Sequence, residues 1–510
     1  MSDIIYNINT DNAAAIKNAE DLYTARTIIS ESVHAMNEFD SDVTILIQGY
    51  NRVDKTKECI DSVLKHTNGV KYDLLLIDNG STDDTLEYFK SIDYPYKRIL
   101  HLSKNISAML PANFIDINWI SRYLVSLSND LIVTDNWLSN LVKVAESDPK
   151  IGIVNPMSSN VSNLQGYDME FTDFEDMQKK AAVFNKSDPA KWHERLRIIT
   201  LGTLYRKECL YAIGMPLNDM GFFHDFADDD IAFRVRRAGY KVILAKDTWI
   251  HHNHAVFSGE GKDPAKFAES LRVGRANFRD KYFGVDAWDD VNNFAVEYVS
   301  ALKNTASRNP RILGIDVKCG TPALEIKNAI RSFGKFNTEV SAFTCDAKYL
   351  IDLQTVCGTE NVHFGKIDEI GTAFSGEEFD YIVIGENINR YPEPYKIIKA
   401  AYSMLKKGGQ LFFSLKNAFD IHTFLYVTGN RKIYSKDYSV NYSVEDFYAR
   451  LLEQNYKADI LCAVPYNSSD LPADMIEFAK KQLGNICPKD FEETFFRLIA
   501  DRFAFSVFKP

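Results

Sequence analysis

Four places in the chain put side chains able to bind a metal or move a proton directly after an apolar run or at the opening of an amphipathic stretch. After VTILI stand Gly49, Tyr50, Asn51 and Arg52. After DLLLI stand Asp78, Asn79 and Gly80, followed by Ser81-Thr82-Asp83-Asp84, and after YLVSL stand Ser128, Asn129 and Asp130. The fourth is Asp228-Asp229-Asp230, which opens the stretch IAFRVRRAGY. Each is ordinary when taken singly. Asn-Gly-Ser-Thr-Asp reads as a turn and helix cap, and acids at a helix start interact favourably with its dipole. Their combination offers more: carboxylates for a divalent cation and a carboxylate that could accept a proton from a hydroxyl. Three of the ten histidines add imidazoles in WIHHNHAVFSG, again just after an apolar run.

These groups need a frame that gathers strand ends. From Val43 the chain alternates short β-branched or leucine-rich runs (VTILI, YDLLLID, YLVSLS, GIVNP, KVILAKDTWI) with amphipathic stretches such as KTKECIDSVLKHT. That alternation predicts an α/β domain with a mostly parallel sheet, in which ligands gather beyond the carboxyl ends of the strands. Residues 1–40 read as an N-terminal helical segment, 41–260 as the first α/β domain and 261–305 as a helical connector. A second series, RILGID, EVSAFT, NVHFG, FDYIVIG and GQLFFSL, predicts a second α/β domain over 306–510, with YKADILCAVPY and RFAFSVF as its closing strands.

The composition agrees. A chain of 510 residues exceeds what one core organises. Its 45% hydrophobic and 25% charged residues are ordinary globular values, which disfavours disorder and coiled coil. A formal charge of −11 provides no general basic field, so neither a nucleic acid nor an anionic membrane surface is an expected partner and an anionic ligand would need local cations, while the lack of a membrane-spanning apolar run argues against integral membrane association. Seven cysteines without a CxxC pair fit a reducing compartment. With no apolar run of membrane-spanning length and no signal-peptide pattern at the start, the expected location is cytoplasmic.

The motifs of residues 42–258, in this order, resemble the inverting family-2 glycosyltransferases with the GT-A fold, a Rossmann-like domain. The resemblance implies the following roles. Asp78 of DNGS holds the uracil of a UDP-sugar, with Gly49, Tyr50, Asn51, Arg52, Asn79 and Gly80 beside the nucleotide. Asn105 and Asn113 of LSKNISAMLPANF stand where the family has an Asn and a glycine-rich, Asn-ended stretch, although the glycines are missing here. Ser128-Asn129-Asp130 replaces the family's Asp-x-Asp, so Asp130 becomes the carboxylate for Mn²⁺ or Mg²⁺ and Asn129 adjoins the donor. Aligned on Asp230-Ile231 and Arg234, Asp228 falls at the general base. Asp225 is the alternative base, Asp230 orients the loop or pairs with Arg234, and Asp229 faces solvent. His252, or second to it His254, reaches the metal or diphosphate, and Arg52 or Lys104 supplies further positive charge.

Residues 306–510 resemble the class I S-adenosylmethionine-dependent methyltransferases, a second Rossmann-like fold, most clearly in FDYIVIGENINRYPEPYKIIKAAYSMLKKGGQLFFSLKNA. The cofactor turn is altered. In RILGIDVKCGTPALEI, Lys318 and Pro322 stand at glycine positions and only Gly320 remains, while Thr344 stands where an acid would take the ribose, with Asp346 displaced by two. The domain is therefore expected to keep the fold and lack the cofactor.

The resemblances imply a soluble bacterial enzyme that moves N-acetylglucosamine or a related hexose from a UDP-sugar to a hydroxyl of a protein, for example flagellin Ser or Thr, or of a surface glycan. Two alternatives are a bifunctional glycosyl- and methyltransferase and a nucleotide-sugar-binding scaffold without catalysis.

Overall fold

The computed structural model describes residues 5–10, 39–214, 217–222, 225–253, 263–428, 439–466, 471, 473–486 and 491–510. The chain divides into two compact units, Met1–Asn292 and Asn293–Pro510.

In the first unit the order is β1 (Ile5–Ile8), β2 (Val43–Gly49), α1 (Val53–His66), β3 (Tyr72–Asp78), α2 (Thr85–Ser91), β4 (Lys97–Leu102), β5 (Tyr123–Ser128), β6 (Leu131–Ile132), α3 (Trp137–Glu146) and β7 (Ile151–Ser158). There follow α4 (Phe174–Phe184), β8 (Trp192–Arg195), β9 (Thr203–Arg206), α5 (Lys207–Ile213), α6 (Ala227–Arg237), β10 (Lys241–His252) and α7 (Pro264–Lys281). The strands form one sheet in the order β1-β4-β3-β2-β5-β9-β7-β10-β6, with β8 beside β10. The β1-β4-β3-β2-β5 half is parallel throughout, whereas β9 runs antiparallel to both β5 and β7. The apolar runs are continuous because both faces are covered. Leu46 points into one core with Leu75, Ile77 and the α6 residues Ile231 and Val235. Its neighbours Ile45 and Ile47 point into the other, with Ile60 and Val63 of α1 and Trp137 of α3.

Two differences from the sequence expectation concern this unit's edges. Residues 5–8 form a strand in parallel register with β4 (Ile5↔Ile99 to Ile8↔Leu102), where a helical segment was expected, and the helical pattern itself lies outside the described residues. Four residues are too few for periodicity to reveal, and the pairing depends on contacts such as Thr10 Oγ1 donating to Lys104 O at 2.9 Å. The connector helix α7 belongs to the first unit. Phe278 packs on Phe233 and Phe226, and Lys281 reaches Asp230 and Asp219, so the division falls after Asn292 and not at 305.

In the second unit the order is α8 (Val296–Ser300), β11 (Arg311–Ile315), α9 (Thr321–Arg331), β12 (Glu339–Thr344), α10 (Leu350–Cys357), β13 (Val362–Phe364), α11 (Ile370–Ala373), β14 (Phe379–Asn387), α12 (Pro394–Ser403) and β15 (Leu405–Lys416). It ends with α13 (Ile421–Thr428), α14 (Val444–Glu453), β16 (Lys457–Pro465), α15 (Ala473–Ile486), α16 (Phe491–Leu498) and β17 (Ala500–Phe508). The sheet order is β13-β12-β11-β14-β15-β17-β16. Its first five strands are parallel, and β17 and β16 close it antiparallel, as the terminal runs suggested.

Candidate active site

The carboxyl ends of β2, β3 and β5 open onto a cavity of about 530 Å³. β2 contributes Leu46 and Gln48, followed by Tyr50. Asn79 lines the cavity after β3, Asn105 and Ser107 to Met109 form one wall, and Ser126 and Ser128 line it from β5 with Asn129 just after. Opposite them stand Ile199, Thr200, Leu201, Tyr205 and Asp228.

The turns that carry these residues are built by their own side chains. Asn51 and Arg52 both take left-handed φ (54° and 56°) before α1. Asn51 Oδ1 accepts Thr82 N–H at 2.8 Å and its own N–H donates to Ser81 Oγ at 3.0 Å, so this side chain joins the two loops. Gly80 has φ 71°, and a Cβ there would lie 2.5 Å from the Lys104 carbonyl carbon; only glycine lets the loops approach so closely. Tyr50 stays 47% exposed beside the cavity, where its ring is available for stacking.

Asp78 is fully buried and does not line the cavity. Its Oδ1 accepts Ser81 N–H at 3.0 Å, and Oδ2 lies 2.7 Å from His101 Nδ1. The structure thus uses this carboxylate to hold the loop, and the neighbour that reaches the cavity is Asn79. Asn79 in turn donates to Ser107 O at 2.6 Å and accepts Ile106 N–H at 3.2 Å, which fastens the wall formed by residues 105–109. Gln48 holds the next carbonyl, Ala108 O, at 2.7 Å, and Asn218 the one after, Met109 O, at 2.6 Å. Asn113 is buried and clamps Asn218 through both ends of its amide.

Asp130 follows β5, and the short β6–β10 pairing, Leu131 opposite His252, brings Asp130 and His252 together. His252 Nε2 lies 3.4 Å from Asp130 Oδ2, while Ser128 Oγ donates to Asp130 Oδ1 at 2.6 Å. Burial alone would lower the His252 pKa. The hydrogen bond and charge of Asp130, with the Asn160 carbonyl, outweigh it and raise the pKa above the ordinary value. His251 is different: burial and the neighbouring positive groups push it down to about 4, and its Nδ1 meets Ser159 Oγ at 2.8 Å, so it is a neutral packing residue. His254 lies outside the described residues. Among the described residues no three His, Cys, Asp or Glu side chains converge on one point. One carboxylate and one imidazole, both partly exposed, fit a cation that takes its remaining ligands from phosphate and water, and not a closed resident cage. Asn129 is engaged elsewhere, donating to Thr56 Oγ1 at 3.0 Å and to Asn51 O at 3.3 Å.

The acids at the start of α6 take three different positions. Asp228 lines the cavity and accepts the Thr200 hydroxyl on Oδ1. Asp229 was expected to face solvent, but it is 2% exposed and paired with Arg197, because the first turn of α6 packs against residues 197–200. Burial pushes the Asp229 carboxyl up to about 6, Arg197 opposing and Asp228 and Asp230 adding to the rise. Asp230 is fully buried and pairs with Arg234 at 2.8 Å, as the sequence suggested, and it also accepts the Tyr282 hydroxyl at 2.7 Å and meets Lys281. Asp225 does not line the cavity and accepts the Ser270 hydroxyl of α7.

Sequence reasoning missed Thr200, Tyr205 and Asn218. The run GTLYR held the signal for β9, but a four-residue strand between two charged stretches carries little periodicity.

In the second unit the turn after β11 keeps Gly320 at φ 111°, while Lys318 takes φ 55°. Asp316 accepts Cys345 N–H and the Tyr391 hydroxyl, both at 2.7 Å. Thr344 is buried and closes on Asp346, whose carboxylate caps Lys348 N–H at 2.9 Å.

Residues 44–203 match the family described as Glycosyl transferase family 2. An uncharacterized glycosyltransferase of Rickettsia felis is 35% identical over 120 residues, 23% of this chain and 18% of that protein. The chain spans about a quarter or less of the length of the first curated relatives it matches. The second unit resembles methyltransferases: a ubiquinone biosynthesis O-methyltransferase of Pseudomonas putida is 29% identical over 129 residues, 25% of this chain and 53% of that protein. Among solved structures, a mannosyltransferase from Pyrobaculum calidifontis in complex with GDP-Man and Mn²⁺ aligns with a TM-score of 0.32 at 16% identity, over 54% of this chain and 81% of its own.

Proposed function

We propose that the first unit is a metal-dependent inverting glycosyltransferase that moves a hexose, with N-acetylglucosamine as the first candidate, from a UDP-sugar to a hydroxyl of a protein or surface glycan. One observation carries this reading. One cavity gathers Asp228 with Asn79 and the Ser128-Asn129 strand end, the latter two lying within the residues that match glycosyl transferase family 2, and Asp130, just after that strand end, pairs with His252 at the end of β10.

In this reading the acceptor hydroxyl bonds to the anomeric carbon as the bond from that carbon to the phosphate oxygen breaks. Its proton passes to the Asp228 carboxylate, and the nucleotide diphosphate leaves with the electron pair. Asp130 and His252 would hold a divalent cation together with the donor phosphates, and such a cation supplies charge stabilisation to the leaving group. Tyr50 stacks on the base, Asn79 fastens the wall of residues 105–109, and Asp78 holds the loop that presents Asn79. Flagellin serine or threonine is a candidate acceptor on the resemblance alone, and a cytoplasmic location is part of the same proposal. No helix among the described residues is long and apolar enough to cross a membrane.

The second unit is proposed to keep its fold without S-adenosylmethionine. Lys318 and Pro322 stand where close backbone approach would need glycine, Asp316 is held by Tyr391 and Cys345, and Asp346 is occupied as a helix cap.

The test is a screen of UDP-, GDP- and dTDP-sugars with Mn²⁺ and detection of released nucleotide. Release from a UDP-hexose is expected; no release from any donor would refute the enzyme reading.

A further inference from the structure

Residues 196–202 belong to neither helix nor strand, yet side chains from distant segments hold their backbone almost step by step. Arg236 Nε donates to Leu196 O at 3.0 Å. Gln165 is 1% exposed; it donates to Ile199 O at 2.9 Å and accepts Ile199 N–H at 2.7 Å. Asn155 is fully buried and accepts Leu201 N–H at 3.3 Å and the Thr203 hydroxyl at 2.5 Å. Buried irregular backbone needs such partners, and immobilising it opposes a substantial conformational entropy. The outcome is that one polar side chain, Thr200, is set at the cavity with its hydroxyl on Asp228 Oδ1.

The Arg197–Asp229 pair adds to this. A carboxylate buried between two others is costly, and an apolar pair in its place is often neutral or stabilising. Its position accounts for it. Arg197 lies three residues before Thr200 and Asp229 immediately follows Asp228, so the pair bolts together the two chain segments whose side chains meet at the cavity. Tyr205, kept protonated by burial and by the Asp228 charge, hydrogen-bonds with Thr200 and Thr203.

We propose that Thr200 is a positioning residue for glycosyl transfer: held by the Arg197–Asp229 pair, its hydroxyl fixes the orientation of the Asp228 carboxylate that receives the acceptor proton. The inference rests on the reading of Asp228 as the base. A threonine hydroxyl has one proton to donate, and giving it to Oδ1 fixes the carboxylate plane.

The experiment compares wild type, Thr200→Val, Thr200→Ser and Asp228→Asn by steady-state kinetics with whichever nucleotide sugar the wild-type protein turns over fastest, in Mn²⁺. Thr200→Val is expected to lower kcat about 10- to 100-fold, the range of a lost hydrogen bond to a charged group, with donor KM changed less than about threefold. Thr200→Ser, which keeps the hydroxyl, is expected to recover kcat to within about threefold of wild type. Thr200→Ala serves in place of the valine variant if that protein does not fold. An inactive Asp228→Asn beside a Thr200→Val of normal kcat overturns the inference and leaves the base assignment intact. A serine variant as slow as the valine variant assigns Thr200 to packing and also overturns it. An active Asp228→Asn overturns the base assignment itself, and this inference with it.

Discussion

Replacing Gly80 by alanine should damage the first unit more than the same change at Gly69, and the difference isolates one contact. Both glycines have left-handed φ, 71° and 79°, so alanine suffers the same backbone strain at each, about 1–2 kcal/mol. Both substitutions also restrict the unfolded chain equally. The surroundings differ. A Cβ at Gly69 meets nothing within 4 Å, whereas one at Gly80 would lie 2.5 Å from the Lys104 carbonyl carbon and 2.6 Å from Asn105 N. That backbone cannot retreat easily: Lys104 N–H donates to Thr10 Oγ1 at 2.9 Å, and Ile106 N–H is held by Asn79 at 3.2 Å. Overpacking of this kind costs about 1–3 kcal/mol, or roughly 2–12 °C of extra Tm loss at about 2–4 °C per kcal/mol. All five tryptophans lie in the first unit, so thermal unfolding followed by their fluorescence reports on it alone. Equal melting temperatures for the two variants would refute the close approach of the two loops.

Three further outcomes are expected. Asp130→Ala should weaken Mn²⁺-dependent UDP binding at least about tenfold by calorimetry; unchanged binding would move the cation elsewhere. The Asp229 carboxyl is raised to about 6 from an unfolded value near 3.8, so in the folded state it holds its proton more tightly. Its contribution to stability is present below about pH 3.8 and is lost as pH rises through about 6; the difference in Tm between wild type and Asp229→Asn should therefore slope between those values and flatten above, and a difference independent of pH would contradict the buried placement. Titration with S-adenosylmethionine should give no binding heat, and a micromolar Kd would show that the second unit kept its cofactor site.

The strands that frame the cavity were legible because each is buried on both faces, which writes VTILI and YDLLLID as unbroken apolar runs. Asp228 and the Asp130–His252 pair were legible for a related reason, since each follows such a run or opens an amphipathic helix. What the sequence hid is set by long-range contacts. Nothing local distinguishes Asp78 from Asn79, yet His101 on β4 takes one inward and leaves the other at the cavity. Asp229 looks like a solvated acid until Arg197 is folded against it. The segment before β9 has no period, because its order comes from Gln165, Asn155 and Arg236, each remote in sequence or on another element. The connector joined the first unit through Phe278 and Lys281, two residues whose partners on α6 only the fold supplies.

The central claim is that Asp228 receives the acceptor proton, and Asp228→Asn tests it most directly. The amide keeps the shape of the side chain and an oxygen for the Thr200 hydroxyl, but it cannot serve as base at neutral pH. With the donor found by nucleotide release, kcat is expected to fall about 10²- to 10⁴-fold, while UDP affinity in Mn²⁺ stays within about threefold of wild type. A kcat within threefold of wild type would contradict the claim.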